Sequence, residues 1–280
     1  MAGMGSPKDA TGMSKIPRGL IPAVLSMALA SLMQASGAAD ATANRVCHAM
    51  TGAQRGALVE LYTSEGCSSC PPADRWFAGL AASADPQKLS LLAFHVDYWD
   101  SIGWPDRFGS GAFSQRQYER VGSVGSRSVY TPQVMLGQRV GFPWGTPAAI
   151  AALRAVNAQP SMVALDLSAN PAPGGLNVDL KATPVAGVLP NAALYLVLYE
   201  NGLSTQVKAG ENEGVLLRHE RVVRQLLGPY PLSGTQWSRA LHVAEPHDAH
   251  AGSIGLTAFV QARSGDTLQA LSLPLGACAH

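Results

Sequence analysis

Two cysteines with two residues between them, Cys67 and Cys70, are the side chains whose type and spacing most directly indicate chemistry. Thiols at this spacing can close a disulfide and open it again, which is thiol–disulfide exchange. A short apolar run ending at Thr63 predicts a buried strand before them, and Pro71 and Pro72 predict the first turn of a helix after them. Cys67 should therefore lie near the N-terminus of that helix, where unpaired N–H groups and the helix dipole favour a thiolate.

Other interpretations of this pair stay open. A static disulfide in an exported domain has the same spacing. Half of a zinc site has it as well, but a structural zinc site needs four ligands and usually a second such pair. The remaining cysteines, Cys47 and Cys278, stand alone and far apart in the sequence. A copper-handling site would take Cys67, Cys70 and His95 as ligands.

The bulk composition argues against several classes of protein. The chain has 280 residues, of which 47% are hydrophobic and 14% charged, which is ordinary for a globular protein and long enough for two domains. Its formal net charge of +1 argues against binding to nucleic acid or to an anionic membrane surface. No cofactor is expected, and the expected partners are protein thiols and disulfides.

Residues 1–39 have the composition of a secretory signal peptide. Three basic residues precede an apolar run over residues 20–33, and small residues follow over residues 35–39. The apolar run is shorter than the roughly 20 residues that span a bilayer, although an uncleaved anchor stays an alternative. We expect cleavage between residues 39 and 43, and a periplasmic or secreted protein with no membrane segment left.

Export has a consequence for Cys47 and Cys278. Disulfides persist outside the cytosol, and the two ends of a domain often lie near each other. We therefore predict a structural disulfide between them, which would stabilise the chain by about 4–5 kcal/mol in the chain-entropy model. The alternative is two unpaired thiols.

The elements that must position the cysteines can be predicted along the chain. Residues 88–97 form a nearly continuous apolar run, typical of a strand covered on both faces, so the first elements predict a βαβ unit. The sequence then predicts three more elements, which are a helix over residues 110–121, a hairpin over residues 133–142 and a helix over residues 148–156. From residue 161 onward, short strand-like runs separated by turn residues are typical of an antiparallel sandwich.

This order of elements resembles the thioredoxin fold, in which Thr131-Pro132 would supply the cis-proline. More narrowly, the chain resembles an exported thioredoxin-like family of unknown function, domain of unknown function 1223. The matching segments are residues 59–74, 94–100, 129–133 and 210–214. The resemblance, together with the strand pattern of the second half, implies the following fold class and boundaries. An α/β thioredoxin-like domain covers residues 44–158, and an all-β antiparallel sandwich-like domain follows over residues 159–280.

His95 and Asp97 are predicted near the end of the second strand, at the edge where parallel sheets collect active groups. Strand residues two apart face the same side, so the two could form a proton-handling pair beside Cys67. The alternative is a hydrogen-bonded structural pair. Glu65 should raise the pKa of Cys67 by like-charge repulsion, which opposes the helix dipole and predicts a mildly activated thiol.

Charged residues also concentrate over residues 208–224 of an otherwise neutral chain. They predict either a solvated hairpin or an ion-paired contact with the first domain.

The predicted function is that of an exported thiol–disulfide oxidoreductase. Cys67 would attack or be attacked, Cys70 would resolve the mixed disulfide, and Pro132 would help to present the partner's backbone. His95 and Asp97 complete the candidate catalytic set. The alternatives are a binding protein on the same fold with a permanent Cys67–Cys70 disulfide, and the copper-handling protein.

Overall fold

The computed structural model describes residues 46–188, 190–250 and 252–276, and this part of the chain contains thirteen strands and three α-helices. The predicted signal peptide and Cys278 lie outside the described residues. The helices are α1 (Pro71–Ser83), α2 (Gly111–Ser123) and α3 (Pro147–Asn157). The strands of the first half are β1 (Cys47–Met50), β2 (Ala57–Thr63), β3 (Leu89–His95) and β4 (Gln133–Leu136). Those of the second half are β5 (Val163–Ala172), β6 (Gly175–Pro184), β7 (Ala192–Glu200), β8 (Leu203–Gln206), β9 (Leu216–His219), β10 (Val222–Pro231), β11 (Trp237–Ala244), β12 (Ile254–Ala262) and β13 (Thr267–Pro274).

The helices begin where their first residues predict. α1 has prolines in its first turn, where a missing N–H costs no hydrogen bond. Ser110 caps α2 by accepting a hydrogen bond from the backbone N–H of Ala112 at 3.3 Å. Thr146 caps α3 in the same way, through the N–H of Ala149 at 3.3 Å. These predictions are confirmed.

The strand prediction holds only in part at two places. The chain reverses within the predicted hairpin, where Leu136 and Arg139 form a bridge and the N–H of Phe142 donates to the Val134 carbonyl at 2.9 Å. Residues 139–142 are not a strand, however, and Phe142 packs in the same core cluster as residues of α3. Among the strand-like runs predicted from residue 161 onward, the run over residues 218–226 is divided into β9 and β10 at Arg221, whose φ is 58°.

Seven strands from both halves of the chain form one mixed sheet, in the order β13-β12-β7-β10-β3-β2-β4. β2 pairs parallel with β3, as the βαβ pattern predicts. The other edge of β3 is occupied by β10, which runs parallel to it with Val222 opposite Ala93. A second sheet of four strands, in the order β1-β5-β6-β11, also joins the two halves, since β1 pairs with β5.

The predicted fold class, an α/β thioredoxin-like domain followed by an antiparallel sandwich, is therefore wrong. Strands dominate the described residues, and the βαβ unit is one end of a large mixed sheet that continues into the second half. Local periodicity predicts where strands occur but not which strands lie next to each other in a sheet. The pairing of β3 with β10 could therefore not be predicted, because the two strands are far apart in the sequence. The boundary predicted at residues 157–160 stays a prediction, since shared strand pairing does not measure whether either half folds alone.

The layers around the large sheet differ along its length. At the β3-β2-β4 end, α1 and α3 pack on one face, with Phe77 and Leu153 against Leu61. α2 packs on the other face, with Phe113 against Tyr62. At the other end, apolar side chains of the four-stranded sheet pack against those of β7 and β12. The site at the ends of β2 and β3 is thus held by buried elements on both faces.

Buried ion pairs fix α2 to β2 of the large sheet. Glu60 of β2 accepts hydrogen bonds from Arg116 Nε at 2.9 Å and from Arg120 Nε at 2.8 Å. Burial acts to raise the pKa of Glu60, but the two guanidinium groups outweigh burial and hold the pKa below its usual range. The guanidinium of Arg116 also lies 5.1 Å from the ring centroid of Phe259.

In residues 46–188, 190–250 and 252–276, no helix combines the length and the apolar character needed to cross a membrane.

Candidate functional site

Cys67 and Cys70 form a disulfide in the turn between β2 and α1, with their Cα atoms 5.4 Å apart. The backbone N–H of Cys70 donates to the Cys67 carbonyl at 3.2 Å, and the Cys70 carbonyl accepts from the first turn of α1. The pair thus lies at the start of the helix. Both cysteines are 0% exposed, whereas Ser68 and Ser69 between them are exposed. A reagent that approaches this turn therefore meets the serines before the sulfurs.

The Thr131–Pro132 segment lies beside this turn. Its peptide bond is cis, as predicted. Ser69 Oγ lies 3.3 Å from Cys67 Sγ and donates to the Thr131 carbonyl at 3.5 Å. Trp99 Nε1 donates to Thr131 Oγ1 at 2.7 Å and gives this residue a second hydrogen bond. Pro132 therefore follows a residue that contacts the cysteine turn.

His95 is buried at the end of β3, and its carboxylate partner is Asp106. His95 Nδ1 lies 2.7 Å from Asp106 Oδ2, and both side chains are almost inaccessible to solvent. Burial acts to lower the pKa of His95, but the charge and hydrogen bond of Asp106, together with the charges of Asp74 and Glu65, outweigh burial and raise this pKa above its usual value. Conversely, burial acts to raise the pKa of Asp106, but His95 outweighs burial and holds that pKa low. The two side chains therefore form a buried imidazolium–carboxylate pair.

Asp97, the partner predicted from the sequence, makes a different contact. β3 ends at His95, so the alternation of side chains along the strand does not continue to Asp97. Its carboxylate Oδ1 instead accepts a hydrogen bond from Ser114 Oγ of α2 at 2.6 Å. Asp97 thus positions α2, and Asp106 from the following loop takes the place beside His95.

Glu65 is fully buried two residues before Cys67. Its Oε2 accepts a hydrogen bond from Trp104 Nε1 at 2.9 Å, and its Oε1 lies 3.2 Å from His219 Nε2. That second distance suits an ion pair, although the two groups are not aligned for a hydrogen bond. Burial acts to raise the pKa of Glu65, but the interactions with His219 and Trp104 outweigh it and lower this pKa. An ionised carboxylate is thus held close in sequence to the cysteines.

The two buried histidines contact each other. The rings of His95 and His219 are edge to face with centroids 4.9 Å apart, and the Phe108 ring packs against both. The histidines and the half-buried Asp74 line a cavity of about 10 Å³. Burial raises the pKa of Asp74, although the histidines oppose this effect. Ionisable groups from β3, α1 and β9 therefore meet beneath the start of α1.

The hairpin formed by β8 and β9 brings residues of the second half onto the cysteine turn. Glu211 Oε2 accepts hydrogen bonds from Ser68 N at 3.0 Å and from Ser68 Oγ at 2.7 Å. Asn212 Nδ2 donates to the carbonyls of Glu65 at 2.8 Å and Cys67 at 3.0 Å.

Sequence reasoning did not assign a role to Glu211, Asn212, His219 or Asp106. The concentration of charge over residues 208–224 was the available signal for the hairpin. Of its two interpretations, the structure shows the contact with the first half, because His219 Nε2 lies 3.2 Å from Glu65 Oε1.

Within the part of the chain that the structure describes, no group of three or more His, Cys, Asp and Glu side chains is placed to hold a metal ion. A copper site on Cys67, Cys70 and His95 stays a prediction that would first require the disulfide to open. The bridge between Cys47 and Cys278 also stays a prediction, since Cys278 is outside the described residues.

The arrangement can carry out one kind of chemistry with its own atoms, the exchange of the Cys67–Cys70 bond with another thiol or disulfide. A carboxylate contacts this turn, that of Glu211, whereas the Glu65 carboxylate contacts Trp104 and His219. Carboxylates disfavour a thiolate, whereas the helix N-terminus favours one. The site thus places a disulfide between a helix N-terminus and an acidic side chain, which have opposite effects on a thiolate.

Comparisons with known proteins complete the description. The sequence profile of a family described as "Protein of unknown function (DUF1223)" matches residues 58–261. No curated protein matches the chain. The crystal structure of protein AGR_C_4864 from Agrobacterium tumefaciens is similar, with a TM-score of 0.55 and 23% identity over 80% of this chain and 96% of that one. HBP35 of Porphyromonas gingivalis is similar with a TM-score of 0.58 and 12% identity, over 80% of this chain and 76% of that one. At these identities the likeness concerns the fold alone.

Proposed function

Because this chain belongs to the DUF1223 family of proteins of unknown function, we propose its activity from the site itself, as thiol–disulfide exchange with protein thiols outside the cytosol. The observation that carries the proposal is the Cys67–Cys70 disulfide at the start of α1. A helix N-terminus stabilises the thiolate that leaves when such a bond is opened. No cofactor is needed, since the electrons move between sulfur atoms.

The exchange balances between the protein and a partner dithiol. A thiolate of the partner attacks Cys67 Sγ, a partner–Cys67 bond forms, and the Cys67–Cys70 bond breaks. The electron pair leaves on Cys70 Sγ, which takes up a proton. The second partner thiol then gives up its proton and attacks its own mixed disulfide, which releases Cys67. The partner is oxidised by two electrons and the protein is reduced by two; with the opposite partner the steps run in reverse.

The neighbouring residues have supporting roles in this proposal. Thr131 and Pro132 border the turn that a partner chain must approach, and Ser69 links that segment to Cys67. The buried His95–Asp106 pair and the half-buried Asp74 lie beneath the helix that carries Cys70. Asp97 has no part in the exchange, since its carboxylate contacts α2.

The location outside the cytosol is proposed from the sequence pattern of residues 1–39. An oxidising compartment suits both the Cys67–Cys70 disulfide and the predicted bridge between Cys47 and Cys278.

A second candidate is a binding protein in which Cys67–Cys70 is a permanent structural bridge. The complete burial of both cysteines favours this candidate, because attack on a disulfide requires access to a sulfur. The Glu211 carboxylate at this turn favours it as well, because a nearby negative charge disfavours a thiolate.

The reduction potential of the pair separates the two candidates. A structural bridge should have a potential below about −300 mV, and a working pair a higher one. In the exported protein, Cys70→Ser should trap mixed disulfides with client proteins through Cys67, whereas Cys67→Ser should trap few. A potential below about −300 mV, together with no trapped client for either variant, would reject exchange in favour of the permanent bridge.

A further inference from the structure

The connection between β7 and β10 is longer than its neighbours require. The two strands are antiparallel and adjacent, and such strands can be joined by a turn of about 2–5 residues. Instead, residues 203–219 form a separate two-stranded hairpin that belongs to neither large sheet. We call this segment the cover hairpin, because its tip and stem contact the turn that contains the disulfide.

The cover hairpin is fastened at its base. The N–H of Gly202 donates to the Glu220 carboxylate at 3.2 Å, and the N–H of Arg221 donates to the Asn201 side chain at 3.2 Å. Arg221 has a φ of 58°, which side chains other than glycine seldom adopt. The base therefore fixes the direction in which the hairpin leaves the sheet.

The tip holds the peptide group that joins Cys67 to Ser68 at both of its polar atoms. Asn212 donates to the carbonyl oxygen, which also accepts the turn-closing hydrogen bond from Cys70. Glu211 accepts from the N–H of the same peptide group and from the Ser68 hydroxyl. A peptide group held from both sides cannot rotate, so the orientation of Cys67 is fixed while these bonds exist.

The Glu211 carboxylate also occupies a position that an anion at this turn would use. An N–H group just before a helix can stabilise a thiolate on a nearby cysteine. Here the Ser68 N–H is already engaged by Glu211, so a thiolate on Cys67 would compete with a resident carboxylate. The tip thus hinders both movement at Cys67 and formation of its thiolate.

On the basis of the proposed function, we propose that Glu211 and Asn212 are positioning residues that hold the disulfide turn closed and restrain exchange at Cys67–Cys70 until a partner displaces the tip. The partner must replace the hydrogen bonds that it breaks, which selects proteins that dock on the tip over small free thiols.

The test measures how fast dithiothreitol reduces Cys67–Cys70 in the full chain, with new thiols alkylated and the peptides quantified by mass. The variants are Asn212→Ala and Glu211→Gln, and the matched control is Glu213→Gln, an exposed glutamate of the same tip. We expect Asn212→Ala, which removes two hydrogen bonds, to be reduced about tenfold faster, and Glu211→Gln about threefold faster. The control should match the wild type. Alkylation across pH should show a lower Cys67 pKa in the reduced form of Glu211→Gln, which a purely structural role would not change.

Rates within twofold of the wild type for both variants would overturn the inference, and so would equal acceleration by Glu213→Gln. If Asn212→Ala does not fold, the Glu211→Gln rate and pH profile decide alone. Dithiothreitol needs no physiological partner, so faster reduction, combined with a potential below about −300 mV and no trapped client, would support the cover hairpin while rejecting the exchange activity.

Discussion

Replacing Asp106 with asparagine tests which carboxylate is the partner of His95. Asp106 Oδ2 accepts from His95 Nδ1 at 2.7 Å and from the Glu65 N–H at 2.8 Å, and its Oδ1 accepts from the Phe108 N–H at 2.9 Å. Asparagine has one acceptor oxygen in place of two. At least one buried donor would therefore face the amide NH₂, and the His95 imidazolium would lose its counter-charge.

The expected loss of stability follows from that geometry. Breaking a buried ion pair by removing one partner costs about 3–5 kcal/mol. For a chain of this size that corresponds to a fall in Tm of roughly 6–20 °C. The loss should depend on pH in a direction set by the two pKa shifts.

The pKa of His95 is raised in the folded state, so its contribution to stability is fully present below its unfolded value of about 6.5. This contribution is lost as the pH rises through the raised value. The pKa of Asp106 is lowered, so its contribution is present above about 3.9 and is lost as the pH falls through the lowered value. The difference in unfolding free energy between wild type and Asp106→Asn should therefore be largest near pH 5–6 and should shrink at alkaline pH.

Urea denaturation at pH 5.5 and pH 9 measures this difference, and Asp97→Asn is the matched control. Asp97 accepts from Ser114 Oγ, and an asparagine oxygen can accept the same bond, so its cost should stay below about 1 kcal/mol at both pH values. If Asp97→Asn shows the larger, pH-dependent loss, or the two variants are equal, the assignment of Asp106 to His95 is refuted.

Five further substitutions, at Glu60, Gly255, Gly79 and Ser110, test how the fold is held. Glu60→Gln leaves the two buried arginines of α2 without their counter-charge and should lower the free energy of unfolding by about 3–5 kcal/mol in urea titrations. Gly255→Ala would place a Cβ in collision with the buried Tyr199 ring and should lower the free energy of unfolding by at least about 1–3 kcal/mol. As its control, Gly79→Ala would place a Cβ with no other atom within 4 Å and should stabilise α1 by about 0.5–1 kcal/mol. Ser110→Ala removes the N-cap of α2 and should cost about 1 kcal/mol, and Ser110→Asn should restore most of it. A thermal melt of each variant checks the signs, and a neutral Gly255→Ala would contradict the packing around Tyr199.

Local elements of this fold could be predicted because their causes are local. The strand before Cys67, the prolines after Cys70 and the caps at Ser110 and Thr146 act within a few residues of where they stand. The same reasoning places the disulfide at the start of α1, since strand, turn and helix are consecutive. It was right about the chain reversal after β4 but wrong about a second strand over residues 139–142, where Phe142 packs in the core cluster that includes residues of α3.

The pairing of strands could not be predicted in the same way. β3 has two edges, and its apolar sequence shows that both faces are buried without showing which strand lies at the second edge. β10 fills that edge from the second half, so the predicted fold class was wrong. The physical reason is that backbone hydrogen bonds between strands carry little information about side-chain identity.

For the candidate site, the sequence by itself determined the cysteine pair, its helix and the presence of His95 at a strand end. Tertiary structure alone decided what surrounds them. Asp106, and not Asp97, lies beside His95, because the chain leaves the strand after His95. The two-residue spacing of a strand therefore no longer determines which way the Asp97 side chain points. Glu211 and Asn212 reach Cys67 across more than half of the chain because β7 and β10 are neighbours in one sheet and the hairpin between them folds back over α1.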